Sequence, residues 1–93
     1  MERFGLPSYN WLNDDQHGVG RTSQKATVFP NGAGLGATWA KTLLAEAGEV
    51  LGLEARGLHN YFLHNESNRG GSCNGCGITI YGPNLNLVKD PRW

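Results

Sequence analysis

The sequence predicts an α/β fold, built as one βαβ unit that needs neighbouring strands and helices to cover it. Three observations carry this expectation. Residues 77–81, Gly-Ile-Thr-Ile-Tyr, read as a buried strand stopped by Gly82 and Pro83. Residues 26–29, Ala-Thr-Val-Phe, read as a shorter strand ended by Pro30. Between them Leu44, Ala47, Leu51, Ala55 and Leu58 recur at three- and four-residue spacing, which is one apolar stripe on a helix.

The chain has 93 residues, enough for a small domain with limited capacity to bury a core. Its eight basic and eight acidic residues cancel, so no net field draws it to nucleic acid or to an anionic membrane. No apolar run approaches the roughly 20 residues that span a bilayer. The first five residues, Met1 to Gly5, carry no signal-peptide apolar segment. With 14 glycines the chain is loop-rich, while recurring Trp, Leu and Ile keep it apart from disordered compositions.

In chain order, residues 1–10 form an irregular lead-in with turn chemistry around Gly5, Pro7 and Asn10. Residues 11–18 follow: Trp11, then Asn13, Asp14, Asp15, Gln16 and His17, a dense set of polar side chains beside an aromatic platform. Carbohydrate sites use that pairing, because sugar hydroxyls need bidentate acceptors and sugar C–H faces need an aromatic ring. A solvated surface turn has the same composition. After a loop and the strand at 26–29, Thr38 is the expected N-cap of the helix, with His59 and Asn60 at its end. Gly48, Gly52 and Gly57 each cost such a helix about 1 kcal/mol relative to Ala, so it is expected to depend on close packing against neighbours. Residues 64–77 read as a polar, glycine-rich loop before the final strand, which opens into the Asn-rich run beginning at Asn84. In α/β folds such a strand end delivers side chains to a ligand.

Two motifs look chemical and are set aside. Gly32, Gly34 and Ala37 match the spacing of a dinucleotide fingerprint. However, Pro30 and Asn31 separate the glycines from the strand, and the acidic residue about 20 positions on, Glu54, falls inside the helix. Cys73 and Cys76 form a C-x-x-C in a glycine-rich stretch that cannot open a helix, so a local disulfide or free thiols are expected there rather than redox chemistry. Two thiols are half a zinc site, and nothing completes it; no metal or cofactor is implied.

Four linked stretches carry a resemblance. They are Tyr9-Asn10-Trp11-Leu12-Asn13-Asp14 with His17-Gly18, Thr27-Val28-Phe29-Pro30 with Gly34-Leu35 and Ala37-Thr38-Trp39, Glu54-Ala55-Arg56 with His59-Asn60, and Tyr81-Gly82-Pro83-Asn84-Leu85-Asn86 with Asp90-Pro91-Arg92-Trp93. In this order and spacing they resemble glycoside hydrolase family 3, in particular its β-xylosidase and α-arabinofuranosidase branches, with β-glucosidases as further relatives. Those branches carry YNWW-N/S-EALHGV, T-x-FP, EAR-x-xHN and PN-x-N-x-x-R-DPRWGR.

The resemblance implies that residues 1–93 are the N-terminal part of a TIM-type (β/α)8 barrel of roughly 250 residues, followed in the parent protein by a second α/β domain. It implies an exo-acting, retaining hydrolase releasing a terminal xylose, arabinose or glucose from an oligosaccharide or glycoside, and a secreted parent. By position, Asp14 corresponds to the carboxylate that grips sugar hydroxyls in the −1 subsite, and Tyr81 to a tyrosine lining it. Trp11 and His17 flank the same loop. Glu54, Arg56, Asn84, Asn86 and Arg92 match positions whose simplest role is to hold loops together by hydrogen bonds and ion pairs. The family's nucleophile lies on a later strand, its acid/base beyond the barrel, and its sugar-binding Arg after Trp-Gly, so this stretch is expected to be inactive alone. The departures are Leu12 for a second Trp, Asp14 for Glu, Asp15-Gln16 for Ala-Leu, and Lys89 for Arg. Two other expectations compete with this one: a stand-alone sugar-binding or interaction module without catalysis, and a nucleotide-binding βαβ unit.

Overall fold

The computed structural model describes residues 2–5, 11, 13–22, 24–65 and 75–84. A single 3-10 turn, Glu2–Phe4, comes first. Two helices follow, α1 at Gly32–Ala37 and α2 at Lys41–His64.

The sequence α1 occupies, GAGLGA, has little intrinsic helical preference. Its start is fixed from outside: Asn31 is extended, and its side-chain oxygen accepts the Gly34 N–H at 2.9 Å. The six residues of the dinucleotide-like motif are thus one helical turn and a half, with no glycine turn ahead of a long helix. Thr38, expected to open the main helix, instead closes α1. Its hydroxyl donates to the Leu35 carbonyl at 2.6 Å and accepts the Ala40 N–H at 3.2 Å. Trp39 sits between the helices in the left-handed region, φ 53°, and is 91% exposed.

α2 therefore begins at Lys41 and runs to His64, past the expected end at Asn60. Asn65 terminates it in extended backbone while its N–H returns to the Tyr61 carbonyl at 3.1 Å. Most of the apolar stripe is turned inward: Ala55 is buried, and Ala47, Leu51, Leu58 and, one turn on, Phe62 are half-buried, while Leu44 at its start is exposed. Leu43, Val50, Leu53 and Tyr61, on the other side, are exposed, and a Cβ added at Gly48, Gly52 or Gly57 would meet nothing within 4 Å.

Among the described residues, two side chains tether α2 to the rest. Glu54 accepts the Thr27 N–H at 2.9 Å and the Thr27 hydroxyl at 2.5 Å. His59 Nδ1 lies 2.8 Å from the Cys76 carbonyl, which can only accept, so Nδ1 carries the proton.

Neither expected strand forms a ladder. At 26–29 the Thr27 N–H goes to Glu54 and the Phe29 N–H to the His17 carbonyl, and no strand among the described residues is paired with this segment. A strand needs a repeating ladder of backbone pairs, and a single contact such as Phe29 to His17 does not make one. At 77–81 one residue pairs: Tyr81 forms an isolated parallel bridge with Asp14. The partner of the C-terminal segment is thus the loop at 13–14 and not 26–29, with α2 lying between the two in sequence. The radius of gyration, 15.5 Å, exceeds the roughly 12 Å of a compact chain of this length.

Removing the Glu54 tether tests this arrangement. Glu54→Ala is expected to speed hydrogen exchange at the Thr27 amide and to cost about 1 kcal/mol, the net worth of a hydrogen bond near the surface. Exchange at Leu58 in α2 should be unchanged.

Candidate functional site

The site is assembled on Asn13. Its side chain is 1% exposed and works at both ends: the amide oxygen accepts the Gly77 N–H at 2.7 Å, and the amide nitrogen donates to the Thr79 carbonyl at 2.9 Å. Its backbone carbonyl accepts the Tyr81 N–H at 3.0 Å. Residues 77, 79 and 81 share one edge of an extended segment. One asparagine therefore lines up that whole edge beside the loop that carries Asp14.

Asp14 and Tyr81, the two residues expected to wall the sugar subsite, are brought together as bridge partners. Asp14 is half-exposed, and its carboxylate accepts from Arg21 Nε at 3.4 Å. Trp11 is exposed two residues before Asn13, and the Asn13 N–H returns to the Trp11 carbonyl at 3.1 Å. His17 is exposed, and its backbone carbonyl holds Phe29. Of the expected structural set, Glu54 binds Thr27, whereas Arg56 and Asn84 are exposed and make no ion pair among the described residues. Asn86 and Arg92 lie outside the described residues. Cys76 is buried and disulfide-bonded, and Cys73 also lies outside the described residues.

A cleft of about 380 Å³ opens between the first loop and the two helices, lined by Asp15, His17, Phe29, Leu35 and Leu51 among others. Of the four expected substrate-contacting residues only His17 reaches it. Among the described residues, no group of three His, Cys, Asp or Glu side chains is placed to hold a metal, and no helix is long and apolar enough to cross a membrane.

The chain is 30% identical over its whole length to a β-xylosidase/α-L-arabinofuranosidase of Medicago sativa subsp. varia. It is 34% identical over 98% of its length to an exo-1,4-β-xylosidase of Emericella nidulans, and 33% identical over its whole length to β-D-xylosidase 3 of Arabidopsis thaliana. The chain belongs to glycoside hydrolase family 3. It spans 12% of the length of each of these relatives. No family model matches it, and no solved structure matches it.

Against the family 3 pattern given above, the structure gives one departure a physical consequence. Asp15, where that pattern has Ala, is 2% exposed, and neither carboxylate oxygen has a hydrogen-bond partner among the described residues. Burial raises its pKa above 3.8, and the charge of Asp14 adds to the rise; the Gly20 N–H, already given to the Asp14 carbonyl, opposes it in part. Sequence reasoning passed over Asn13, Asp15 and Arg21. The polar density of residues 13–17 was the available signal, but nothing in it said which side chains point inward.

The sign of the Asp15 effect is fixed. Its folded pKa lies above its unfolded one, so the native state keeps a proton the unfolded chain gives up. Stability is full below pH 3.8, falls as pH rises through the folded pKa, and stays reduced above it. Asp15→Ala is expected to raise the urea midpoint at pH 7 by the equivalent of about 1–3 kcal/mol, the cost of a buried unsatisfied polar group. Near pH 3 the gain should shrink or vanish.

Proposed function

We propose that this segment builds part of the wall of the −1 sugar subsite in a retaining, exo-acting glycoside hydrolase that releases a terminal xylose, arabinose or glucose. The observation that carries the reading is the pairing of Asp14 with Tyr81. The family resemblance gives those two residues to the sugar subsite from motifs 67 positions apart in the sequence, and they are neighbours in space. The names of the relatives, β-xylosidases and a bifunctional arabinofuranosidase, support the substrate class.

The chemistry of each residue fits its role. A half-exposed Asp14 carboxylate can accept two sugar hydroxyls, as a carboxylate offers up to four lone-pair sites. The Tyr81 ring and the exposed Trp11 supply apolar faces of the kind that stack on sugar C–H surfaces. Asp14 and Asp15 do not form the acid and nucleophile of a retaining mechanism, which need two carboxyl groups about 5–5.5 Å apart across one glycosidic bond. Asp15 is sealed away from solvent and held toward its neutral form, while Asp14 faces out. The catalytic carboxylates are therefore proposed to come from other parts of a longer chain.

A parallel contact between 13–14 and 81, with α2 between them in sequence, is the connectivity of a βαβ unit. It supports the proposal that these residues form the first portion of a (β/α)8 barrel, completed by the rest of the barrel and joined to a second α/β domain in a secreted parent. The exposed apolar side of α2 is where a neighbouring barrel helix would pack.

The full-length protein is expected to hydrolyse nitrophenyl xyloside, arabinofuranoside or glucoside. Asp14→Ala should lower kcat/KM by about 10- to 100-fold, the range for losing a hydrogen bond to a charged group. The 93-residue chain alone should give no turnover. Turnover by that chain, abolished by Asp14→Ala, would contradict the proposal.

A further inference from the structure

Arg21 has no counterpart among the motifs that carry the family resemblance, yet the backbone around it is built to present it. It adopts φ 55°, a left-handed conformation that a residue with a Cβ rarely takes without support. Support comes from both sides. The preceding residue, Gly20, donates its N–H to the Asp14 carbonyl at 2.6 Å, and a Cβ there would stand 2.7 Å from that same oxygen. On the other side Gly75, at φ 74° and next to disulfide-bonded Cys76, packs backbone against backbone. A Cβ at Gly75 would lie 2.6 Å from the Gly20 carbonyl oxygen and 3.2 Å from the Arg21 carbonyl carbon.

The result is a short chain of contacts. The turn at Gly75 and Cys76 presses on residues 20–21, which close back on Asp14, and the Arg21 guanidinium returns to the Asp14 carboxylate through Nε. The pair is too exposed, at 57% and 44%, to contribute much stability. Its geometric effect is another matter. A carboxylate on a two-torsion side chain swings freely unless something fixes it, and a single Nε contact to Oδ2 leaves Oδ1 open to a ligand.

We infer that Arg21 is a positioning residue, which orients the Asp14 carboxylate toward sugar hydroxyls while Gly20 and Gly75 fix its own backbone. This rests on the reading of Asp14 as a sugar ligand. It places a supporting residue behind the −1 wall and gives the cysteine-bearing turn a place in the site.

Arg21→Gly is the informative variant, because glycine is at home at φ 55° and only the guanidinium is lost. In the full-length protein, with a nitrophenyl glycoside as substrate, Arg21→Gly is expected to lower kcat/KM about three- to ten-fold, the worth of one net hydrogen bond. The same change in an Asp14→Asn background should have no further effect, since the group it positions is already altered. An equal loss in both backgrounds, or no loss in the parent while Asp14→Asn is impaired, would overturn the positioning role and leave the reading of Asp14 intact. An Asp14→Asn variant with full activity would overturn that reading and the inference together. Arg21→Lys provides a second check, as it keeps the charge and should restore part of the loss; a lysine variant as impaired as the glycine one would count against the inference.

Discussion

The side chain of Asn13 is the constraint on which the rest of the described structure depends. An amide has both an acceptor and a donor, and Asn13 uses one on Gly77 and the other on Thr79. Side chains of similar size do not match it: an ionised Asp lacks the donor and Leu lacks both. Buried at 1% exposure, the group would be costly if unpaired, so the segment that satisfies it is held in one register. The backbone carbonyl of the same residue then takes the Tyr81 N–H. Three contacts from one residue convert a distant extended segment into a neighbour of the first loop.

From that register the positions of the remaining groups follow. Tyr81 lies opposite Asp14, and Asp15, the next residue along extended backbone, turns the other way into the interior. The same alternation that exposes the Asp14 carboxylate therefore buries its neighbour, which has no partner among the described residues. α2 is fastened to this frame at two points, through Glu54 to Thr27 and through His59 to the Cys76 carbonyl. Its inner stripe packs against the frame, and its outer apolar residues, Leu43, Val50, Leu53 and Tyr61, remain at the surface.

How much of this the sequence discloses depends on the range of the interaction. The stripe from Leu44 to Leu58 was legible because helical periodicity is local and survives any neighbour. The limits of α2 were not, because the Thr38 hydroxyl caps the end of α1 just as readily as it would begin another helix. Residues 26–29 have β-forming side chains, but their amides are taken by Glu54 and His17, a long-range choice that propensity does not encode. Asp14 and Tyr81 were found through linked family motifs, while Trp11 and His17 were placed only near the loop. Asn13, Asp15 and Arg21 stayed hidden among polar neighbours, since burial, an absent partner and a positive φ are properties of three-dimensional contact.

One amide side chain sets the register of the site wall, and amide exchange tests this most directly. In an Asn13→Leu variant the Gly77 N–H loses its own acceptor, whereas the Tyr81 N–H keeps the backbone carbonyl it uses. If Asn13 holds the segment as a unit, both amides exchange faster, and Tyr81 loses its protection along with Gly77. Faster exchange at Gly77 alone, with Tyr81 still protected, would show that the segment is held by something else.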